Sequence, residues 1–336
     1  MKAILWRLLS MIFIKKFVMY NIPILLVFFN REDTVLRTFE RIREVQPEKL
    51  YLACDGARAD RAGEKEVVDN LRDKLLKRVD WACDVHTRFL DKNLGCSLGV
   101  SSAIDWLFEN EEVGVILEDD CMPQKSFFPF MEEMLTRYKD DNRIGNVDGA
   151  NYIKKYKIKD SYCFSKYKST NGWGTWRRAW KNMDLAMTWR GTQYEDSIIK
   201  NIGYCAWDVH YWKYRLRAVD ANHVSAWDWQ WYLTLSAQNQ LSIFPKVSLI
   251  SNIGFGEGAT HTSFSTDAND YLASEELEFP LKHPKYVMPD YGFDKCFYKN
   301  NNTLYNRINQ LIPFGLKRKI KGWITSNSKL KTSNCK

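Results

Sequence analysis

Histidine is scarce in this chain, five residues in 336, and neither an H-E-x-x-H nor a C-x-x-C pattern occurs. That excludes the common zinc frameworks. The cysteines at 54, 83, 96, 121, 163, 205, 296 and 335 are spread singly, five of them in apolar surroundings. They read as reduced thiols that behave as small hydrophobes, the pattern of a cytoplasmic protein. Long apolar runs are missing as well. In the first 20 residues the longest charge-free run, Leu8 to Ile14, has seven residues, against roughly 20 for a spanning helix. It ends at Lys15-Lys16, not at the small residues of a cleavage site. Residues 1–20 therefore read as an apolar and basic extension, either a membrane-surface helix or an addition upstream of a start at Met19. Internal repeats and low-complexity linkers are also lacking.

Acidic residues are absent from Asn301 onward, where eight Lys or Arg stand. The remaining 41 basic residues balance 41 acidic ones, so the net charge of +8 belongs to the tail. A neutral body argues against nucleic acid as a partner. A basic tail, residues 291–336, suits an anionic surface such as the inner face of a cell membrane. Leu316, Ile320, Trp323 and Ile324 share one helical face among Lys317, Arg318, Lys319 and Lys321, the pattern of a helix lying in a membrane interface.

Between these ends, apolar runs alternate with helical periodicity. Ile22–Phe29, Leu50–Cys54, Val85–Leu90 and Val113–Leu117 read as strands. Helices are predicted from Val35, Leu36, Phe39, Ile42 and Val45, from Val67 to Val79, from Gly95 to Phe108, and over Phe127–Tyr138. A short strand follows at Ile144–Val147. The spacing predicts an α/β fold, a mostly parallel sheet flanked by helices. The domain spans 21–290, with a nucleotide-binding half over 21–150 and an acceptor half over 151–290. Beyond residue 150 the pattern becomes irregular. Gly172–Trp180 reads as a Trp-rich turn leading into a helix, Trp227–Ser236 as a helix, and Leu249–Ile253 as a strand before the glycine-rich Gly254–Gly258. Ligands of such sheets bind beyond the carboxyl ends of the strands, which points to Asn30-Arg31, Asp55-Gly56, Asn93 and Glu118–Asp120.

Glu118-Asp119-Asp120 carries the strongest chemical signal. Adjacent carboxylates repel one another unless a cation or solvent offsets their charge. Hard oxygen donors of this kind hold Mn²⁺ or Mg²⁺, with a diphosphate completing the shell. A solvated acidic turn is the alternative. Asp228, inside Trp227-Asp228-Trp229, is a carboxylate between indoles, suited to take a proton from a hydroxyl or merely to cap a helix. Trp173 and Trp176, within Asn171-Gly-Trp-Gly-Thr-Trp-Arg177, offer faces for sugar stacking or pin a tight turn. The thirteen Trp fit either core packing or sugar binding. His261, after the glycine-rich loop, suits a phosphate or metal contact, although a lone His is more often structural.

In this order the motifs resemble those of GT-A glycosyltransferases over about Ile22 to Thr262. The chain is similar to inverting enzymes related to the Golgi mannoside N-acetylglucosaminyltransferase and to family-2-like bacterial polysaccharide transferases. The resemblance implies that Asp120 binds the metal and that Glu118 and Asp119 lie near the ribose and the metal's waters. It makes Arg31 a nucleotide contact, places Asp55 at the base and likens the loop with His261 to the donor-covering loop, while Asn93 joins the nucleotide-sugar site by its place after a strand. Asp228 becomes the catalytic base; Trp173 and Trp176, by their own indole faces, are the candidate acceptor contacts. The chain departs from the family in having one Asp in the W-D-W segment where the Golgi enzyme has two. The implied activity is transfer from a nucleotide-diphosphate sugar, a UDP-sugar, to a glycan or lipid-linked glycan hydroxyl in surface polysaccharide or lipopolysaccharide synthesis. A sugar-nucleotide pyrophosphorylase is a rival, but it needs a Gly- and Arg/Lys-rich loop where this chain has Asn30-Arg31-Glu32-Asp33. A glycosidase needs no acidic triplet, and a glycan-binding module leaves the triplet unexplained.

Overall fold

An apolar run such as Ile-Leu-Leu-Val-Phe is stable as a strand only if both of its faces are covered. The computed structural model, which describes residues 19–221, 227–254, 273–304 and 307, shows how this is done. Its first half alternates β1 (Ile24–Phe28), α1 (Glu32–Val45), β2 (Lys49–Cys54), α2 (Glu64–Leu76), β3 (Asp84–Phe89), α3 (Gly95–Asn110) and β4 (Val113–Glu118). Ile24, Leu26 and Phe28 pack in one cluster with Phe39 and Ile42 of α1 and Leu71 of α2. Leu25 points the other way, into a cluster with Ile104 and Leu107 of α3. Burying one such aliphatic side chain contributes about 1.5–3 kcal/mol.

Parallel pairing joins β1 to β2 and to β4, and β2 to β3. In the order β3-β2-β1-β4 the chain moves outward from β1 on one side, then returns to start again on the other. The crevice beyond the carboxyl ends of β1 and β4 is therefore the topological switch point, where such sheets bind ligands.

The second half contains β5 (Cys121–Pro123), α4 (Phe127–Arg137), β6 (Ile144–Asp148), β7 (Tyr162–Ser165), β8 (Trp173–Trp176), α5 (Arg177–Trp180), α6 (Glu195–Ile202), α7 (Ala206–Asp220), α8 (Asp228–Ala237), β9 (Leu241–Pro245), β10 (Ile250–Asn252) and α9 (Tyr291–Asn301). It completes one eight-stranded sheet, β3-β2-β1-β4-β8-β6-β9-β7. Here β8 runs antiparallel between β4 and β6, β9 is parallel to β6, and β7 closes the edge antiparallel to β9. The architecture is the expected α/β one, a large, mostly parallel sheet flanked by helices, and it is consistent with the Rossmann-like GT-A fold.

Two local expectations need correction. Trp173–Trp176 is a central strand, not a turn. Gly172 before it adopts φ +61°, and a Cβ there would meet Ile250 at 2.5 Å, so only glycine admits this entry. The helix Tyr291–Asn301, read as the start of the tail, packs on the body, with Phe293 buried against Phe244 and Ile153. The expected membrane-surface helix of the tail and residues 1–18 lie outside the described residues. Among the described residues no helix is long and apolar enough to cross a membrane.

Candidate active site

At the switch point the chain leaves β1 through Asn30 and Arg31 and leaves β4 through Asp119 and Asp120. Arg31, the residue preceding α1, turns its guanidinium onto the triplet. Its Nε and Nη2 donate to the two oxygens of Asp119, and Nη2 also donates to Asp120 Oδ2 at 3.0 Å. Thr38 of α1 donates to the Asp119 backbone oxygen at 3.1 Å. Arg31 was expected to meet the nucleotide directly; its first commitment is to these carboxylates. Burial alone would lower its pKa, but the paired Asp119 and Asp120 more than offset that, so it stays charged.

The carboxylates respond to burial and to one another. Burial, then the charges of Asp120, Asp119 and Asp228, push the half-buried Glu118 up to about 8. Burial lifts Asp119 to about 6, although Arg31 pulls the other way. Glu118, Asp119 and Asp120 thus crowd one region within electrostatic reach of Asp228, and Arg31 offsets part of their repulsion. The second small sheet brings a further segment here. β10 pairs with β5, and Ile253 N donates to Asp120 O at 2.9 Å. This lays Gly254 on Asp120, where a Cβ would stand 2.2 Å from Oδ2, so the close approach requires glycine.

Arg31, Asp55, Asn93, Glu118 and Asp119 all line one cavity of about 680 Å³. That volume is within the range of small-molecule sites, roughly 300–1,000 Å³. Asp55, expected to face the base, spends its carboxylate on backbone donors. It accepts from Gly56 N at 2.9 Å, Leu94 N at 2.9 Å and Gly95 N at 2.9 Å, which caps the start of α3. Asn93 donates to Gly56 O at 2.7 Å and closes the same corner. Arg58 and Arg88 also line this cavity; they stood in the sequence without a distinguishing motif.

Asp228 is the first residue of α8. Trp227 before it is stacked on Trp173, with ring centroids 5.8 Å apart, and the next turn of the helix anchors Trp231 in the same cluster. The two core indoles hold the helix end in place and aim Asp228 into a second, smaller cavity of about 190 Å³. This cavity is also lined by Tyr152, Asn171, Lys168, Arg215 and Trp229. The charge of Asp228 is felt by Glu118 and by Cys96, both of which line the larger cavity.

Trp173 and Trp176 are corrected as acceptor contacts. Trp173 is 0 % exposed and Trp176 3 %. Trp173 is enclosed by Trp180, Trp227 and Trp231, and the Trp176 face is covered by the Arg178 guanidinium at 4.3 Å. Neither has a face to offer a sugar. The half-buried indole at the site is Trp229, already visible in the W-D-W segment, together with Tyr152 and Tyr211, which no local motif marks. His261 and the rest of the glycine-rich loop lie outside the described residues.

Asp120 and Glu118 supply hard oxygen donors. Among the described residues no group of three or more His, Cys, Asp and Glu side chains is arranged to hold a metal ion. Such a donor set suits a cation held by one or two carboxylates and otherwise by a bound diphosphate.

No protein-family model and no curated protein sequence matches the chain. Among solved structures it is similar to a mannosyltransferase from Pyrobaculum calidifontis in complex with GDP-Man and Mn²⁺, at 12 % identity over 65 % of this chain and 72 % of that one, with TM-score 0.34. It is also similar to a cytidylyltransferase from Leptospira borgpetersenii, at 10 % identity over 49 % of this chain and 64 % of that one, with TM-score 0.29. Both likenesses are distant, and neither bears on the reaction.

Proposed function

We propose that this chain is a nucleotide-sugar-dependent glycosyltransferase. The nucleotide-diphosphate sugar lies in the larger cavity and a hydroxyl-bearing glycan acceptor in the smaller one. One observation carries the reading: Asp228 lines the smaller cavity, yet its charge reaches Glu118 in the larger. A carboxylate of the smaller cavity thereby lies within electrostatic reach of the acidic cluster at the switch point of the sheet.

In this reading Asp228 takes the proton of the acceptor hydroxyl as that oxygen attacks the anomeric carbon. The C–O bond to the diphosphate breaks on the opposite face, so the anomeric centre inverts in a single displacement. Arg31 holds Asp119 and Asp120 in place. Asp120, with Glu118, would hold Mn²⁺ or Mg²⁺, whose chemical contribution is to offset charge on the departing diphosphate. Asp55 and Asn93 shape the far wall, where a nucleoside such as uridine would rest.

Calorimetry with nucleoside diphosphates, with and without Mn²⁺, followed by a screen of nucleotide sugars for donor hydrolysis, tests the proposal. Metal-dependent binding that Asp120→Ala abolishes, with release of nucleoside diphosphate, is the expected result. Binding indifferent to metal and to Asp120→Ala would leave the triplet as a turn. Consumption of a nucleoside triphosphate with release of pyrophosphate would instead make the chain a pyrophosphorylase.

A further inference from the structure

The smaller cavity is rich in hydrogen-bond donors that its own walls leave unused. Arg215 of α7 projects among three aromatic rings. Its guanidinium carbon lies 4.4 Å from the centroid of Trp229, 4.5 Å from that of Tyr211 and 5.2 Å from that of Trp212. Such a cage holds the cation in position by face-on attraction and leaves the edges of the fork for a ligand. Among the described residues Arg215 makes no ion pair or hydrogen bond, and all three rings line the cavity with it.

Two further donors stand beside it. Trp212 is 2 % exposed, and its Nε1–H is buried without an acceptor among the described residues. An indole N–H has no other means of satisfaction, so it marks a place for an acceptor atom. Lys168 is 1 % exposed, and its Nζ donates to the Lys166 backbone oxygen at 3.0 Å, one of three donors it carries. Asp148 and Asp294 face Lys168 and share its charge.

Two carboxylates also line this cavity. Asp208 is already engaged, accepting from the Tyr167 hydroxyl, from Tyr204 N at 2.9 Å and from Asn302 Nδ2 at 3.2 Å. Asp228 is the base of the proposed reaction. Beyond these, the charged groups with donors to spare are Arg215 and Lys168, beside the Trp212 N–H and the neutral hydroxyl and amide groups of Tyr211, Tyr232 and Asn300.

We infer that the acceptor is an anionic sugar, carrying a carboxylate or a phosphate, whose charged group is held by Arg215 with Trp212 Nε1 and Lys168 beside it. The cavity volume, about 190 Å³, suits one ring with its substituent. The inference rests on the acceptor role given to this cavity above, and it names the class of acceptor. Planar bidentate recognition of a carboxylate or phosphate is what a positioned guanidinium does best.

Tryptophan fluorescence of the full chain reports on this cavity directly, since Trp212 and Trp229 flank Arg215. Three probes are titrated: glucuronate for the carboxylate, glucose 6-phosphate for the phosphate, and glucose as the neutral control. At least one anionic sugar should bind about tenfold more tightly than glucose, the size of one charge-assisted hydrogen bond, and the tighter of the two identifies the anion. Arg215→Gln should erase that preference while leaving glucose unchanged, and Arg215→Lys should restore part of it. Equal binding of all three sugars, or a preference that survives Arg215→Gln in a folded variant, would overturn the inference. Nucleoside diphosphate binding measured on the same preparations separates this result from the glycosyltransferase reading. Anion preference without any metal-dependent nucleotide binding would sustain the site and sink the reaction.

Discussion

A carboxylate works as a base only where its surroundings hold it beside a departing proton. Asp228, the base of the proposed reaction, begins α8 between Trp227 and Trp231, which are core residues. Asp228→Asn should lower turnover by about 10²–10⁴-fold and leave nucleoside diphosphate affinity intact, as calorimetry would show. Joint loss of both would make Asp228 a donor ligand. Lys168 gives a second expectation. Burial lowers its pKa to about 7 from 10.5. Between those values the unfolded chain binds a proton that the folded chain does not, so stability rises with pH across that interval. The penalty is complete below about pH 7 and fades toward 10.5. Lys168→Met should therefore raise the melting temperature at pH 6 and raise it less at pH 9.5. Thermal melts at both pH values check this, and an equal shift at both would show that Lys168 is not held toward neutrality. At this scale Glu118–Asp120 and Asp55 draw notice in the sequence because they directly follow apolar runs, and Asp228 because it stands between two indoles. Arg215 and Lys168 do not. Each is an ordinary cation in a mixed sequence, and only α7 and the strand-edge loop bring them to one cavity.

At the level of elements, the start of α3 depends on a residue 40 positions earlier in the chain. Asp55 follows β2, and its carboxylate takes the first amide groups of α3. Asp55→Ala should destabilise the fold by about 1 kcal/mol, the ordinary effect of losing a helix cap, and weaken nucleotide binding as the cavity wall loosens. Asp55→Asn keeps an acceptor oxygen and should recover part of both. Urea unfolding with parallel nucleotide titration distinguishes them; wild-type stability in Asp55→Ala would mean that the amide groups are satisfied elsewhere. The first seven elements could be read from the sequence because a parallel sheet buried on both faces demands unbroken apolar strands, and its helices carry a clean periodicity. That rule lapsed after residue 150. β8 is four residues long with a glycine among them, and its strand state comes from pairing with β4 and β6. In α7 the buried Trp212 and Leu216 stand four apart, but Tyr, Lys and Arg between them obscure the stripe.

For the molecule as a whole, the tryptophan cluster is the joint between the two halves of the sheet. Trp173 on β8, Trp180 on α5, and Trp227 and Trp231 around α8 form one buried group. Trp173→Ala would leave a cavity costing about 3–5 kcal/mol. The milder Trp173→Phe should lower the melting temperature while acceptor KM stays unchanged; a raised KM at unchanged stability would return the ring to a binding role. The basic tail supports one more expectation, since each Lys or Arg near an anionic leaflet contributes about 1 kcal/mol. Sedimentation with anionic vesicles should show salt-sensitive binding that deletion of residues 311–336 removes. Equal binding by both forms would dismiss the tail as an anchor.

Local patterning alone was enough to specify an α/β chain, the succession of its first strands and the acidic residues at their ends. These follow from short-range physics, since burial on two faces sets composition and a strand's end sets where polar residues begin. Which tryptophans are buried, which arginine is spent on carboxylates, and whether the charge of Asp228 reaches Glu118 are matters of long-range packing. Trp173 and Trp227 lie 54 positions apart, Arg31 and Asp119 88, and Glu118 and Asp228 110, and neither hydrophobic period nor motif spacing carries information over such distances. Only closure of the sheet, with β8 set between β4 and β6, turned the Gly-Trp-Gly-Thr-Trp segment inward and left Trp229, Tyr211 and Arg215 to form the cavity.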